Sequence, residues 1–329
     1  MNYKILAPFG VSLLLLSGCQ ENKKPNSVIS KRYVHKYGYA VSQEEWETHN
    51  YPGQVVTAMR DGVMVTTTYD HGILDGPCTY TYPHSQTVEI YMLYRNGELI
   101  KEVRYDQSGL PTREEMRLSP TRCTLTTWYS GGNPMSIEEL ANEEIVEGQY
   151  FNLTNEVESR VDRGSGIRIR RDKNGLLLSS DVIEKGFLTK RESFYSSGRP
   201  EYVAHYFMNQ LQGEKKIFAE SGAPLAIEEW RDGKLHGLST YFNNGTKTCE
   251  ISYLNGMKNG TERHFVDGEV ISQEIPWEND KKHGPSIYYV EGQIRTEWYY
   301  DGTPVSQGRF EELAQLDEMV SHISDEVMR

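Results

Sequence analysis

Glycines and aromatic residues return every 23 to 24 residues along most of this chain, and this period constrains the fold more than any other feature. Between residues 228 and 268 the glycines are spaced by 4, 8, 11, 4 and 8 residues, so the pattern restarts after 23 residues. The second glycine of the stretch DGKLHG (232–237) serves as an anchor, and its equivalents recur along the chain. They are Gly76, Lys101, Thr124, Gly148, Gly166, Lys190, Gly213, Gly237, Gly260, Gly284 and Gly308. A period of this length predicts a repeat architecture, here of about eleven units.

Each unit carries the signals of a β-hairpin. Segments such as STYF (239–242) and EISY (250–253) mix aromatic, β-branched and polar residues, which suits half-buried strands. Asn-Gly, Asp-Gly and Ser-Gly pairs tolerate the positive φ that tight hairpin turns require. We therefore predict that both series of glycines lie in turns, at opposite edges of an antiparallel sheet. The second series is Gly109, Gly132, Gly175, Gly198, Gly222, Gly245, Gly268 and Gly292.

Aromatic residues recur at two places in the unit and predict two ladders along the sheet. One ladder precedes the turns: Trp128/Tyr129, Phe194/Tyr195, Tyr241/Phe242, Phe265 and Tyr288/Tyr289. The other lies on the returning strands: Tyr94, Trp230, Tyr253, Trp277 and Tyr299. Because Tyr and Trp are typical interface anchors, we expect Tyr241, Tyr288, Trp230 and Trp277 to contact a partner. The pattern leaves open which ladder faces solvent.

The stretches YLNGMKNG (253–260) and YYDG (299–302) resemble MORN repeats, in the variant form common in bacterial secreted proteins. The resemblance covers residues 61–308 and implies an elongated, all-β array of antiparallel hairpins. Related bacterial proteins of the YwqK type are called antitoxin-like, which implies toxin neutralisation as an alternative function. Lys101, Thr124 and Lys190 replace the anchor glycine, and we expect irregular turns there.

Caps are expected at both ends, because a repeat array must protect its edge strands. Ser42 and Glu45 have the spacing of a capping box, which predicts a short helix carrying Trp46 within an N-terminal cap of residues 34–60. Residues 309–329 predict an amphipathic helix that docks over the last strands, with partner binding as the alternative. Its apolar stripe is Phe310, Leu313, Leu316, Val320, Ile323 and Val327.

The N-terminus predicts export and a lipid anchor. Residues 1–18 combine a lysine with an apolar run, which is typical of a signal peptide. The following stretch LSGC (16–19) resembles the lipobox of bacterial lipoproteins, and this resemblance implies acylation of Cys19. Acyl chains on Cys19 would anchor the protein in a bilayer, with residues 19–33 as the lipidated cysteine and its tether. Gln20 at the next position, where Asp is absent, resembles lipoproteins sorted to an outer membrane, which implies the outer membrane over the inner one and leaves the side of the membrane open.

The charge of the chain bears on its partners. The formal net charge is −12, and removing residues 1–18 takes away one lysine and no acid, so the mature chain carries −13. An acidic chain is poorly suited to nucleic acid or to anionic lipid surfaces. We therefore expect membrane contact through Cys19 alone, no nucleic-acid partner, and binding to a protein or an envelope polymer.

Histidines and cysteines are candidates for a metal site or a disulfide. His71, His236 and His283 lie in different units near turns, and His236 and His283 are about four strands, or about 19 Å, apart, too far to share one zinc ion. Cys78, Cys123 and Cys249 also lie in different units, so we expect three unpaired thiols. The sequence thus predicts no metal site and no cofactor.

Neighbouring acids are candidates for acid–base catalysis, as in Glu138-Glu139 and Glu228-Glu229. Adjacent residues of a strand face opposite sides of the sheet, so we expect these carboxylates to be solvated ladder residues. The sequence contains no nucleophile elbow, phosphate-binding loop or HExxH motif. We therefore predict a non-catalytic binding or scaffold lipoprotein of the cell envelope, with an envelope hydrolase as a third alternative.

Overall fold

A computed structural model describes the backbone of residues 28–327 and the side chains up to Met319. The predicted signal peptide, Cys19 and the first part of the predicted tether lie outside the described residues. The chain forms two compact units, the first ending at Leu176 and the second beginning at Leu177. Both units consist mainly of antiparallel strands that pair in chain order, which confirms the all-β fold class and the hairpin array.

The first unit contains helix α1 and strands β1 to β13. They are β1 Val28–His35, β2 Ala40–Val41, α1 Gln43–His49, β3 Gly53–Met59, β4 Met64–Asp70, β5 Ile73–Thr81, β6 Val88–Arg95, β7 Glu98–Tyr105, β8 Pro111–Ser119, β9 Arg122–Trp128, β10 Pro134–Ala141, β11 Glu144–Phe151, β12 Val157–Asp162 and β13 Ser165–Arg171. A small apolar cluster of Met59, Val63 and Val65 lies at the β3–β4 hairpin.

The second unit contains strands β14 to β27 and helix α2. They are β14 Leu177–Glu184, β15 Phe187–Phe194, β16 Pro200–Phe207, β17 Gln210–Phe218, β18 Pro224–Arg231, β19 Lys234–Leu235, β20 Gly237–Asn243, β21 Thr246–Leu254, β22 Met257–Val266, β23 Val270–Glu278, β24 Lys281–Lys282, β25 Gly284–Val290, β26 Gln293–Tyr300, β27 Thr303–Val305 and α2 Gln307–Val327. Strand β18 pairs first with the short strand β19 and then with β20, which follows β19 in the chain. In the same way, β23 pairs first with the short strand β24 and then with β25.

Asp-Gly and Asn-Gly pairs close hairpins at one edge of the second unit, as the sequence predicts. In Asp232-Gly233 and Asn255-Gly256 both residues have positive φ, the conformation of a type I′ turn. The glycine N–H of each turn also donates to a backbone carbonyl that lies about 21 residues earlier in the chain. Gly233 donates to Leu211 at 3.0 Å, and Gly256 donates to Leu235 at 2.8 Å. The turns therefore join successive hairpins as well as closing them.

The anchor glycines are not turn residues, which corrects the prediction for this series. Gly237, Gly260 and Gly284 lie in strands, four or five residues after the closing turn, with φ of 103°, 103° and 107°. Around Gly260 the register shifts, and three residues of β22 lie opposite the single residue Ser252 of β21. We call this arrangement a glycine bulge. A Cβ added to Gly260 would lie 3.0 Å from the Cβ of Ser252, so glycine satisfies both the φ and the close approach.

Each bulge glycine lies directly opposite an aromatic residue on the following strand, which explains why the two residue types share one period. A ring can cover the exposed backbone of a facing glycine. The pairs are Gly76–Tyr94, Gly213–Trp230, Gly237–Tyr253, Gly260–Trp277 and Gly284–Tyr299.

Where the anchor is not glycine, the bulge is narrower. Lys101 pairs regularly with Leu93, and Lys190 pairs regularly with Val182. Only one extra residue interrupts each ladder there, Ile100 in β7 and Thr189 in β15. At Lys101 and Lys190 the irregularity is thus a one-residue bulge in the ladder, and the turns Asn96-Gly97 and Lys185-Gly186 keep the positive φ of the other hairpins. At Thr124 the extra residue is Leu118 of β8, and the turn at Pro120-Thr121 has no positive φ, so the turn itself is irregular there, as predicted.

The predicted N-terminal helix is confirmed. Ser42 and Glu45 form a complete capping box at the start of α1, and Trp46 is buried. The Trp46 ring lies 5.6 Å from Tyr33 of β1 and 6.2 Å from Tyr69 of β4. Helix α1 therefore covers the first strands, as expected of a cap.

The strand ladder begins earlier than the sequence predicts. Residues 28–33, predicted as part of a tether, belong to β1, which pairs antiparallel with β3. The centre of β1, Ser30, Lys31 and Arg32, is polar and exposed, so no alternating apolar pattern marks this strand in the sequence.

The C-terminal helix docks through its first turns. Phe310 of α2 packs 5.2 Å from Trp298 and 5.4 Å from His283, and the Tyr300 hydroxyl donates to Asp317 at 2.5 Å. Leu316 is 53% exposed, and the side chains of Val320, Ile323 and Val327 lie outside the described ones. Neither helix in the described part of the chain is long and apolar enough to cross a membrane.

Candidate binding face of the second unit

Strand register assigns the side chains of the second unit to two faces. Paired residues of neighbouring strands share a face, and residues alternate along a strand. The face that carries the rings opposite the bulge glycines is called face A. Its middle row is Asp181, Arg191, Ala204, Lys215, Glu228, Ser239, Ile251, Glu262, Ile275, Ser286 and Glu297.

Two aromatic rows flank this middle row, so both predicted ladders lie on the same face. The row beside the glycine bulges is Tyr206, Trp230, Tyr253, Trp277 and Tyr299, and the other row contains Tyr202, Tyr241 and Tyr288. The second row is interrupted at β22, where the register places His264 on face A and Phe265 on the opposite face. All four residues expected to contact a partner, Trp230, Tyr241, Trp277 and Tyr288, are on face A and half-buried.

Cations of face A lie over these rings. The Lys215 Nζ is 5.2 Å from the ring centre of Tyr202 and 5.7 Å from that of Trp230. The Lys258 Nζ is 4.5 Å from the ring centre of Trp277. Such contacts hold both the cation and the ring in place. Face A therefore presents rings and charges in fixed positions.

The middle row contains one ion pair whose carboxylate is fully buried. Asp181 is 0% exposed and accepts two hydrogen bonds from Arg191, each of 2.7 Å. These bonds raise the pKa of Arg191 above its ordinary value. The bidentate geometry offsets the cost of burying the charges of Asp181 and Arg191. The pair lies on β14 and β15, the first two strands of face A.

The two tryptophans expected at the binding site differ in their polar contacts. The indole N–H of Trp230 donates to Glu228 at 3.0 Å. The indole N–H of Trp277 is buried and has no hydrogen-bond partner among the described residues. Trp277 is therefore held by contacts of its ring, one of which is the contact with the Lys258 ammonium group.

The histidines singled out in the sequence have structural positions. His236 and His283 each precede a bulge glycine, and each accepts a backbone N–H from the next turn, from Asn255 at 3.5 Å and from Asp301 at 3.4 Å. Gln212 occupies the same position and accepts in the same way from Asp232 at 3.0 Å. This position therefore links hairpins whichever polar residue occupies it, while His71 is exposed beside Asp70.

The three described cysteines are free thiols. Cys78 is fully buried, and Cys123 is half-buried, where burial raises the pKa of its thiol. Cys249 lies on face A, and burial together with the negative charge of Glu262 raises the pKa of its thiol to about 11.

Sequence reasoning missed the neighbours of Cys249. Its Sγ, a carboxylate oxygen of Glu262 and a ring nitrogen of His264 all lie within 4.8 Å of one another. Burial raises the pKa of Glu262, but hydrogen bonds from Lys258 and His264 outweigh it and hold this pKa below its ordinary value. Glu262 and His264 are two residues apart and so share a face, but their contact with Cys249 follows only from the register of β21 and β22.

Glu138 of the first unit contradicts the expectation of a solvated carboxylate. It is 3% exposed and pairs with the Arg168 Nε at 2.7 Å. The Tyr150 hydroxyl also donates to it at 2.8 Å. A shallow pocket in the same unit is lined by Thr87, Val88, Tyr91, Tyr105 and Gly109 and holds no carboxylate.

Comparison with known proteins assigns no family to this chain. No protein-family model matches it, and no curated protein matches it. The resemblance to MORN repeats and the lipobox therefore remain predictions from the sequence, and the geometry of face A is the main guide to function.

Proposed function

We propose that this chain is a lipid-anchored, non-catalytic binding protein of the bacterial cell envelope, with face A as its binding surface. The observation that carries the proposal is the shared face of Trp230, Tyr241, Trp277 and Tyr288, with ordered cations among the rings. Tyr and Trp are enriched at the centres of protein interfaces.

The length of this surface favours an extended partner. From Trp230 on β18 to Tyr288 on β25 there are five strand steps, which correspond to about 24 Å at about 4.8 Å per strand. A small molecule would contact only part of such a row, whereas a polypeptide or an envelope polymer can follow it. The proposed partner is therefore a protein or an envelope polymer.

Cys19 provides the proposed attachment to the membrane. The acidic chain offers little attraction to anionic lipid, so acyl chains on Cys19 are the expected anchor. Fractionation of cells should place the wild-type protein in the membrane, with the outer membrane expected over the inner one, and should place Cys19→Ser in the soluble fraction. Soluble wild-type protein would contradict the anchor.

Photo-crosslinking in cells tests the binding face. A photoreactive residue at Tyr241 or Tyr288 should capture the same partner, because both side chains lie on face A. The matched control is Leu238, which is next to Ser239 on the opposite face and is 45% exposed. Equal capture from Leu238, or capture from Leu238 alone, would refute the assignment of face A.

A further inference from the structure

We propose that Cys249, Glu262 and His264 form a zinc site on face A. Cys249 of β21 pairs directly with His264 of β22, and Glu262 lies on the same face two residues before His264. The three side chains come from one hairpin, so the turn at Asn255-Gly256 fixes their relative positions.

The distances fit one ion after small side-chain rotations. The candidate ligand atoms lie within 4.8 Å of one another, and the His264 Nε2 is 2.6 Å from the Glu262 Oε1. Ligand bonds of about 2.0–2.3 Å in a tetrahedral zinc site place the ligand atoms about 3.3–3.8 Å apart. The Cys249 sulfur must therefore move inward by at most about 1 Å, and the nitrogen and oxygen must separate by about as much.

The donor set favours zinc over harder ions. A thiolate and an imidazole suit zinc, whereas magnesium and calcium prefer oxygen ligands alone. Three protein ligands would leave one tetrahedral position for water or for a group of the bound partner. The His264 side chain is 36% exposed and the Glu262 side chain 9%, so the ion can enter past the imidazole.

Binding is balanced by proton movement. In the described state the Nε2–H of His264 donates to Glu262, because a carboxylate oxygen can only accept. Zinc takes the place of this hydrogen on Nε2, and Nδ1 takes up a proton from solvent, so the imidazole stays neutral. Zinc also displaces the thiol proton of Cys249, which is released to solvent. No bond is oxidised or reduced in this step.

Lys258 weakens the proposed site without being a ligand. Its Nζ lies 2.5 Å from the Glu262 Oε2, so it holds one carboxylate oxygen and places a positive charge beside the ion. Removing this charge with Lys258→Met should strengthen zinc binding at least tenfold, on the order of the repulsion between two close cations. A variant that binds more tightly cannot be explained by loss of folding.

The test is zinc binding by the full chain after treatment with a chelator, measured by competition with a zinc indicator and by cobalt substitution. Wild-type protein should show a thiolate-to-cobalt charge-transfer band, and Cys249→Ser and His264→Gln should each bind zinc on the order of 100-fold more weakly. Circular dichroism verifies that each variant is folded.

The matched control is Cys123→Ser. Cys123 is also a half-buried free thiol, but its charged neighbours are Glu115, Arg117 and Arg113, with no imidazole. This variant should bind zinc as the wild type does, and Cys19 is common to all variants. The proposal is refuted if Cys249→Ser and His264→Gln bind like the wild type, or if Lys258→Met binds no more tightly.

Discussion

Gly148 in the first unit and Gly260 in the second occupy equivalent positions of the repeat, yet the structure needs glycine there for different reasons. Gly148 pairs regularly with Glu138 and lacks a positive φ, and a Cβ there would lie 2.6 Å from the Tyr150 hydroxyl. Gly260 has a φ of 103° and lies in a bulge opposite Ser252. The first glycine makes room for a buried ring, and the second provides a backbone conformation.

The burial of the aromatic rings also differs between the two units. In the first unit Tyr150 folds over Gly148 and is 1% exposed, and Tyr129 is 2% exposed. In the second unit the rings opposite the bulge glycines stay half-buried, while the middle row includes small buried residues such as Ala204, Ser239 and Ser286. We therefore place the proposed binding face in the second unit, where the rings opposite the bulge glycines stay half-buried, whereas Tyr94 opposite Gly76 in the first unit is 5% exposed.

The largest loss of stability is expected from breaking the ion pair between Asp181 and Arg191 in the middle row. Asp181→Ala leaves the Arg191 guanidinium, 20% exposed, without its bidentate partner, which should lower the free energy of unfolding by about 3–5 kcal/mol. Urea denaturation measures this change. Lys281→Ala is the control, because its pair with Asp301 is exposed and should contribute at most about 1 kcal/mol. Similar losses for both variants would mean that the burial of Asp181 is unimportant.

The second prediction tests the conformational role of Gly260. Gly260→Ala combines a positive φ with a close contact to Ser252, so it should cost about 3 kcal/mol. Because the φ is the main cause, the double variant Gly260→Ala with Ser252→Gly should recover less than half of this loss. Full recovery would show that crowding alone requires glycine at this position.

The third prediction tests the spatial role of Gly148. Gly148→Ala should push the Tyr150 ring away and break its hydrogen bond to the buried Glu138, at a cost of about 2 kcal/mol. In a Tyr150→Leu background the same change should cost less than about 0.5 kcal/mol, because the obstructing hydroxyl is gone. An unchanged cost in that background would contradict the comparison of the two glycines.

Local turn chemistry explains why much of the fold could be predicted. Asn-Gly and Asp-Gly pairs close type I′ turns through their own φ preferences, so pairs such as Asn255-Gly256 are visible in the sequence without tertiary information. The error at the anchor series has the same origin, since a bulge glycine also requires positive φ. A usable signal existed, because Asp232-Gly233 already closes the hairpin four residues before Gly237.

The candidate site could be predicted only in part, because it depends on register. Trp230, Tyr241, Trp277 and Tyr288 were found from their period, but their common face follows from the pairing of every strand between them. A shift of one residue moves a side chain to the other face, and the bulges vary in width along the chain. For the same reason the contact of Cys249 with His264 could not be read from spacing.

The smallest effect is expected at Ser239, in the centre of the middle row. Its side chain is fully buried, and its hydroxyl has no hydrogen-bond partner among the described residues. Ser239→Ala should therefore change the free energy of unfolding by less than about 0.5 kcal/mol, or stabilise the protein, since a buried hydroxyl without a partner is unfavourable. In the first unit Ser136→Ala should cost about 1 kcal/mol, because the Ser136 hydroxyl is 2.7 Å from that of Thr127. Urea denaturation of both variants measures the two changes in the free energy of unfolding. If Ser239→Ala costs as much as Ser136→Ala, the hydroxyl of Ser239 stabilises the middle row of face A, and small side-chain size is not the only requirement at this position.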